Sequence, residues 1–381
     1  MVECLAMLEP NEIPEWFIGM VVFVLGSVVG SFLNVCIYRM PRNESIVHPR
    51  SHCPHCNAMI PWHYNIPLVS YIALHGKTKC CGKPFSIRYW IIELVTASLF
   101  LLLWASFPPF VAISYMIFVG LMIVATATDL EHYIIPDEIT YSGIITGIIC
   151  STLVPALQRE TSHLRAFGLS LAGALTAWLV LWGIVELGKL AFGKKKATFE
   201  ELTEVTVTPK DISISSETLL WEDVLMRATD RLTFTGKNLS LTLAAGGSSR
   251  SWEEAFVTIT QEGIMIAEEM FAFDKVESLK ASTREIIIPR EAMGFGDVKF
   301  IGGIGAFLGP ICLFFVILIS SLVGSLVGIF LMAIGRREWG GKLPYGPYLA
   351  LAATLWIFFD FLAPDFSEYY RTLIRVLVSG E

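Results

Sequence analysis

Long apolar runs alternate with short polar ones along this chain. The runs fall near residues 17–38, 89–107, 110–130, 137–155, 165–192, 298–310, 311–334 and 346–363. A helix needs about 20 residues to cross a hydrocarbon core. The pattern predicts an all-α polytopic membrane protein of about eight transmembrane helices. Interior Gly and Ser suit close helix packing. The run at 298–310 is short and ends at Pro310, which predicts a broken or tilted helix there.

One region has a different pattern. Residues 197–291 are polar and acidic, with period-2 alternation in "EVTVTPKDISI", "KNLSLTLAAGG", "AFVTITQEGIMIAEE" and "EIIIPRE". Alternation of this kind predicts strands joined by glycine-containing turns, and hence an inserted β-rich domain. "AAGGSSRS" at 244–251 reads as a flexible turn.

Composition agrees with a membrane chain. Of 381 residues, 54% are hydrophobic and 17% charged, and mean hydropathy is +0.60, unlike a soluble protein of this length. Residues 1–16 carry acids and no base, so the first span, from Phe17, is expected to be retained. The basic residues set an orientation. Arg39, Arg42, Arg50, Lys77, Lys79, Lys83 and Arg88 crowd one loop, Lys194–Lys196 begin a second polar region just before the β-rich insertion, and Arg336, Arg337 and Lys342 form a third group. The positive-inside rule puts all three in the cytoplasm, with both termini outside. The expected segments are 1–38 with the first span, a cysteine-rich cytoplasmic loop 39–88, spans at 89–196, the cytoplasmic insertion 197–291, further spans at 292–363, and a tail 364–381. The tail could lie along a surface. No nucleic-acid partner is expected.

Four of the eight cysteines cluster in the polar loop: Cys53, Cys56, Cys80 and Cys81. Such clustering points to metal or redox chemistry. Four thiolates close a structural zinc site, whereas a catalytic zinc needs an open position. The second pair is adjacent rather than C-x-x-C, and neighbouring cysteines do not easily face one ion. His52, His55 and His63 are alternative ligands, and thiol chemistry without metal is a further reading.

Two acids border apolar runs. Asp129 ends the run at 110–130, and Asp297 in "AMGFGDVKF" opens the run at 298–310. Ionisable groups in a membrane bundle face its interior and are functional by default. Two carboxylates brought together do not both ionise comfortably; one keeps a proton while the other activates water. Gly294 and Gly296 would allow close approach of a substrate. Lys299 steadies charge or anchors at lipid headgroups. Against this stands a simpler reading, in which these acids cap helices; Asp137, just after Pro136, fits it well. Spacing in sequence does not show whether Asp129 and Asp297 meet.

"GSVVGSFLNVCIYRMPR" (26–42), the cysteine loop, "SIRYWIIEL" (86–94), "DLEHYIIPDEIT" (129–140), "GFGDVKFIGGIGAFLG" (294–309) and "LPYGPYLA" (343–350) occur in this order. Together they resemble type IV prepilin leader peptidases, bacterial inner-membrane aspartic proteases with a GxGD motif. The resemblance covers nearly everything outside 197–291. It implies cleavage of a prepilin or a secretion-system pseudopilin after the leader glycine, near the cytoplasmic face, with Asp129 and Asp297 as the catalytic pair. It further implies methylation of the new N-terminal amine from S-adenosylmethionine, with Gly30, Asn34, Arg39 and Glu93 matching positions of substrate handling or methyl transfer. Pilus or type II secretion assembly proteins are the partners it suggests. The family loop carries paired C-x-x-C units, whereas here Thr78 stands near the third cysteine's place and Cys80 is displaced beside Cys81. By charge, a basic leader would meet Glu131 or Asp137 at the inner face. A proton-coupled transporter using the two acids and a non-enzymatic scaffold are the competing classes.

Overall fold

The computed structural model describes residues 14–53, 55–192, 194–214, 217–225, 231–243, 249–289, 294–335, 343–362, 368–370 and 372. The 336–342 basic group, the 244–248 part of the expected flexible turn and nearly all of the tail lie outside them. The chain divides into two compact units, residues 1–182 with 294–381 and residues 183–293.

The first unit is helical. In chain order its elements are α1 (Glu15–Arg39), α2 (Val69–Ala73), α3 (Arg88–Ser106), α4 (Pro109–His132), α5 (Asp137–Leu153) and α6 (His163–Phe192, whose end lies past residue 182). After the insertion, which carries α7 (Trp221–Val224), come α8 (Phe295–Leu308), α9 (Cys312–Ala333) and α10 (Gly346–Leu362). All eight apolar runs are helical. Five of these helices, α1, α3, α4, α6 and α9, are long and apolar enough to cross a membrane. The other three are shorter, at 17 residues for α5, 14 for α8 and 17 for α10. The outer faces match a lipid solvent. In α9 only Cys312, Leu313, Val316, Ser320 and Gly324 are buried, while Phe314, Leu318, Leu322 and Ile329 stand exposed. In water such a surface would aggregate.

Helix packing relies on small residues. Gly26 and Gly30 of α1 lie against Ala97 and Glu93 of α3. A Cβ at either would stand 2.8 Å from the Ala97 or Glu93 Cα, so the GxxxG spacing brings the two backbones together. Gly30 is therefore a packing residue in this fold.

The short α8 has a physical cause. Gly309, at φ 76, ends the helix and Pro310 follows. Pro310 has no N–H to offer the Ala306 carbonyl, which instead accepts bonds from Ser170 Oγ (2.7 Å), Ser151 Oγ (3.0 Å) and Gln158 Nε2 (3.3 Å). Unmet carbonyls at membrane depth are costly, so a broken helix survives only where protein groups satisfy it. Nearly every α8 residue from Asp297 to Phe307 is buried, and α5 packs along it. A Cβ at Gly147 would lie 2.7 Å from the Ala306 Cβ. The half-length helix expected from Pro310 is thus a core element that ends inside the bundle.

The second unit is an antiparallel sheet. Its strands are β1 (Lys194–Val207), β2 (Asp211–Ile214), β3 (Glu217–Leu220), β4 (Leu232–Leu243), β5 (Ser249–Thr260), β6 (Gly263–Ile266), β7 (Glu269–Phe271) and β8 (Val276–Pro289). Their order is β3-β2-β1-β8-β4-β5-β6-β7. The last strand fills the gap between two meanders, pairing β1 on one side and β4 on the other. Each of the four alternating segments forms strand within its described residues, and their inward positions, among them Val205, Val207, Leu239, Leu241, Val257, Ile259, Ile264 and Ile286, form one core.

Candidate active site

Three helix ends meet beside the loop between α4 and α5. The last turn of α4 carries Asp129, the first turn of α8 carries Asp297, and α10 begins at Gly346. An added Cβ at Gly296 would touch the Ile135 backbone at 3.5 Å, and one at Gly346 would touch the Ile135 Cδ1 at 2.9 Å and Asp129 Oδ2 at 2.8 Å. Ile135 thus sits between the two helix starts. Tyr133 turns the chain there in a left-handed conformation (φ 56), its N–H bonded to the Asp129 carbonyl.

Both acids are buried, Asp129 at 5% and Asp297 at 9% exposure. They are near enough for the charge of Asp129 to act on Asp297. Asp129 Oδ2 accepts the Gly346 N–H at 2.8 Å. Asp297 Oδ1 is buried with no hydrogen-bond partner. The capping reading of Asp297 fails, because Gly294 occupies the N-cap and no side-chain cap bond is made. Asp137 also caps nothing; its Oδ1 lies 2.7 Å from Lys299 Nζ. Lys299 also faces the Tyr141 and Phe295 rings, so its charge is spent on α5 rather than on the acid pair. Glu131 is paired with Arg88. Both acids suggested for a basic leader therefore already hold cationic partners, a contact between distant residues that charge patterning along the chain does not reveal. Gly294 and Gly296 have only ordinary surroundings, since a Cβ would come no closer than 3.6 and 3.5 Å to a neighbour.

The cysteine loop forms a second centre. Its four Sγ atoms all lie within 4.8 Å of one another, Cys53 to Cys81 at 3.8 Å and Cys56 to Cys80 at 3.3 Å. Four thiolates bound to one zinc at roughly 2.3 Å would stand about 3.8 Å apart, so the donor set fits a metal. The difficulty expected of adjacent cysteines does not arise, because the loop is built from two similar turns. The Cys53 N–H bonds the Ala58 carbonyl and the Asn57 N–H bonds the Cys53 carbonyl. In the second turn the Thr78 N–H bonds the Lys83 carbonyl and the Gly82 N–H bonds the Thr78 carbonyl. Asn57 and Gly82 both take positive φ, 57 and 68. Thr78 therefore occupies the place that Cys53 has in the first turn. Its hydroxyl lies 3.1 Å from Cys81 Sγ, and Cys80 reaches in as the fourth sulfur. The three histidines are engaged elsewhere: His52 and His55 at the Arg50 and Pro84 carbonyls, and His63 against Tyr64. Burial pushes the Cys53 thiol up, but the N–H groups of His55 and Cys56 and the neighbouring thiols outweigh it and bring it to about 6. Hydrogen bonding with Cys56 and Cys53 pushes Cys80 up to about 12.

A cavity of ≈ 210 Å³ separates this loop from α1 and α3, lined among others by Asn34, Arg39, Tyr71, Tyr89, Trp90 and Glu93. Arg39, 5% exposed, holds the loop through the Ser45 carbonyl (2.8 Å) and the Pro49 carbonyl (2.7 Å). Glu93 Oε2 accepts the Leu68 N–H at 2.7 Å, fixing Leu68 in a positive-φ conformation (φ 61). Asn34 Nδ2 donates to the Tyr89 carbonyl at 3.0 Å. Asn34 Oδ1 and Trp90 Nε1 are buried without partners, which is uncommon unless a ligand or water completes the set. The residues missed from sequence are Tyr71 and Trp90 in the cavity, and Ile135 and Gly346 at the acid pair. "LPYGPYLA" stood out as a motif, but nothing local to it points to Asp129.

A polytopic helical chain that carries two buried, interacting acids at helix ends and a tetrathiol loop has the architecture of an intramembrane aspartic hydrolase. The comparisons agree. The Bacterial Peptidase A24 N-terminal domain matches residues 24–107, and the Type IV leader peptidase family matches residues 116–196 and 225–329. The chain belongs to the type IV leader peptidase family. Among its relatives, a Myxococcus xanthus prepilin leader peptidase/N-methyltransferase is 39% identical over 142 residues, 36% of this chain and 42% of that protein. One of the same name from Klebsiella pneumoniae is 31% identical over 206 residues, 51% of this chain and 86% of the relative. Another, from Aeromonas hydrophila, is 24% identical over 369 residues, 90% of this chain and 91% of the relative. No solved structure matches.

Proposed function

We propose that this chain is a multi-pass inner-membrane aspartic endopeptidase that removes the leader of type IV prepilins or pseudopilins after its glycine. The observation that carries this reading is the interacting, buried pair Asp129 and Asp297. Hydrolysis needs one neutral carboxyl and one carboxylate. The neutral acid donates its proton to the scissile carbonyl oxygen while the carboxylate takes a proton from water, whose oxygen attacks the carbonyl carbon. The tetrahedral adduct collapses, the C–N bond breaks, and the leaving amine takes the proton. The acids act as one titrating unit. The basic loop, placed inside by the positive-inside rule, puts the pair near the cytoplasmic face, where a short basic leader precedes an apolar pilin helix.

The same reading assigns N-methylation of the new terminus. S-adenosylmethionine would supply the methyl group. The cavity below the cysteine loop suits it chemically: Glu93 offers a carboxylate for hydroxyls, Tyr71, Tyr89 and Trp90 offer aromatic faces, and Asn34 Oδ1 and Trp90 Nε1 await partners. The chain's own task is to hold the neutral amine close to the donor. Cys53, Cys56, Cys80 and Cys81 would hold a structural zinc that staples the cavity's roof.

The test is reconstitution of the purified chain in lipid with a prepilin and labelled S-adenosylmethionine. The expected result is a shortened, methylated product, absent with Asp129→Asn or Asp297→Asn. Normal cleavage by both variants would reject the protease reading. Solute accumulation without cleavage would favour a transporter, and pilus assembly indifferent to both acids would favour a scaffold.

A further inference from the structure

The first turn of a helix leaves its N–H groups without partners inside the helix. In α10 these donors can be followed one by one. Pro347 has no N–H. The Tyr348 and Leu349 N–H groups both donate to the Tyr345 carbonyl, at 3.1 and 3.2 Å. The Gly346 N–H instead crosses to another helix and donates to Asp129 Oδ2 at 2.8 Å, a buried bond between residues 217 positions apart. A Cβ on Gly346 would displace side chains: it would stand 2.8 Å from that same oxygen, 3.4 Å from Asp129 Cγ and 2.9 Å from Ile135 Cδ1. The start of α10 is itself anchored. Tyr345 Oη lies 2.7 Å from Ser320 Oγ and 3.1 Å from Ser321 Oγ on α9, and Gly324 lets the Tyr348 ring sit close against that helix.

We propose that Gly346 is a positioning residue for peptide cleavage: its backbone N–H grips one oxygen of Asp129 and fixes the carboxylate's rotation toward Asp297. This rests on the reading of Asp129 and Asp297 as the catalytic pair. A carboxyl group held at one oxygen by a rigid helix start need not reorganise during the reaction, and its second oxygen is left to exchange protons with the pair. The Tyr345 hydroxyl, through α9, keeps the donor in place.

The competing explanation is packing alone, in which Gly346 merely makes room for Ile135. One double substitution separates the two. Ile135→Val removes the Cδ1 atom that a Cβ at residue 346 would strike but leaves the approach to Asp129 unchanged. Cleavage is measured in lipid with a prepilin. Gly346→Ala is expected to lower kcat by about 100-fold, the order that a misplacement of about 1 Å costs, with KM within about 3-fold. Gly346→Ala/Ile135→Val is expected to stay equally slow relative to Ile135→Val. Recovery of the double variant to within about 3-fold of Ile135→Val overturns the proposal. If Gly346→Ala does not fold, Tyr345→Phe decides: an expected fall in kcat of about 10-fold at unchanged KM supports it, and an unchanged kcat overturns it. Asp129→Asn and Asp297→Asn run in parallel. If they cleave normally the catalytic pair itself is wrong, whereas inactive aspartate variants beside a recovered double variant remove only the role of Gly346.

Discussion

Lys299 Nζ lies 2.7 Å from Asp137 Oδ1 and ties the N-terminal part of α8 to the first turn of α5. The bond stands two residues from Asp297 and yet faces away from the acid pair. Lys299 is mostly covered, but Asp137 is 59% exposed, so solvent screens the pair and its worth is at most about 1 kcal/mol. Asp137→Asn should therefore lower thermal stability only slightly and leave cleavage within a few-fold. A loss of cleavage beyond about 10-fold with an unchanged Tm would show that Asp137 meets the substrate.

Asp129→Asn and Asp297→Asn should each abolish cleavage without lowering the melting temperature. Both acids are buried at a cost, and Asp297 Oδ1 has no partner to lose. An inactive enzyme of undiminished stability separates a catalytic role from a structural one. Marked unfolding of either variant in thermal melts would argue for structure instead.

The tetrathiol loop predicts about one zinc per chain. Cys80→Ser should weaken metal retention by at least about 100-fold, since even supporting residues around a metal cost 10- to 100-fold. Because Thr78 holds the turn position matching Cys53, Thr78→Cys in the Cys80→Ser background should restore binding. Metal content and the absorption spectrum of the cobalt-loaded protein report this directly. A Cys80→Ser protein that keeps its metal unaltered would show that residue 80 is no ligand.

Glu93 holds the Leu68 N–H and lines the cavity. Glu93→Ala should reduce methyl transfer by about 10-fold or more while cleavage stays within a few-fold, because the aspartates stand on other helices. Loss of both activities in equal measure would tie Glu93 to the fold, as expected instead for Gly30→Ala, whose Cβ would strike the α3 backbone.

Gly147→Val should separate α5 from α8. Its Cβ would begin 2.7 Å from the Ala306 Cβ, and overpacking of this kind costs about 1–3 kcal/mol. A lower Tm together with lost cleavage is expected. A variant of full stability and activity would mean that the two helices are looser than the contact implies.

Much of this protein is legible along the chain, because the properties concerned are local. Runs of apolar residues become helices wherever lipid leaves backbone groups no other partner, and all eight runs did. Alternation at 204–214 and 255–269 became strands because one face of a sheet must be buried. Pro310 foretold that α8 would stop early, and the loop cysteines marked their own cluster. Other features depend on which surfaces meet, and only the tertiary structure decided them. Asp137 and Glu131 look open to a basic leader until Lys299 and Arg88 arrive from other helices. Cys80 and Cys81 look incompatible until two hairpin turns face each other with Thr78 in the vacant place. Gly346 looks like an ordinary helix start until its N–H finds Asp129. A single backbone hydrogen bond leaves no periodicity or composition behind it, so no reading of neighbours in sequence could have shown it.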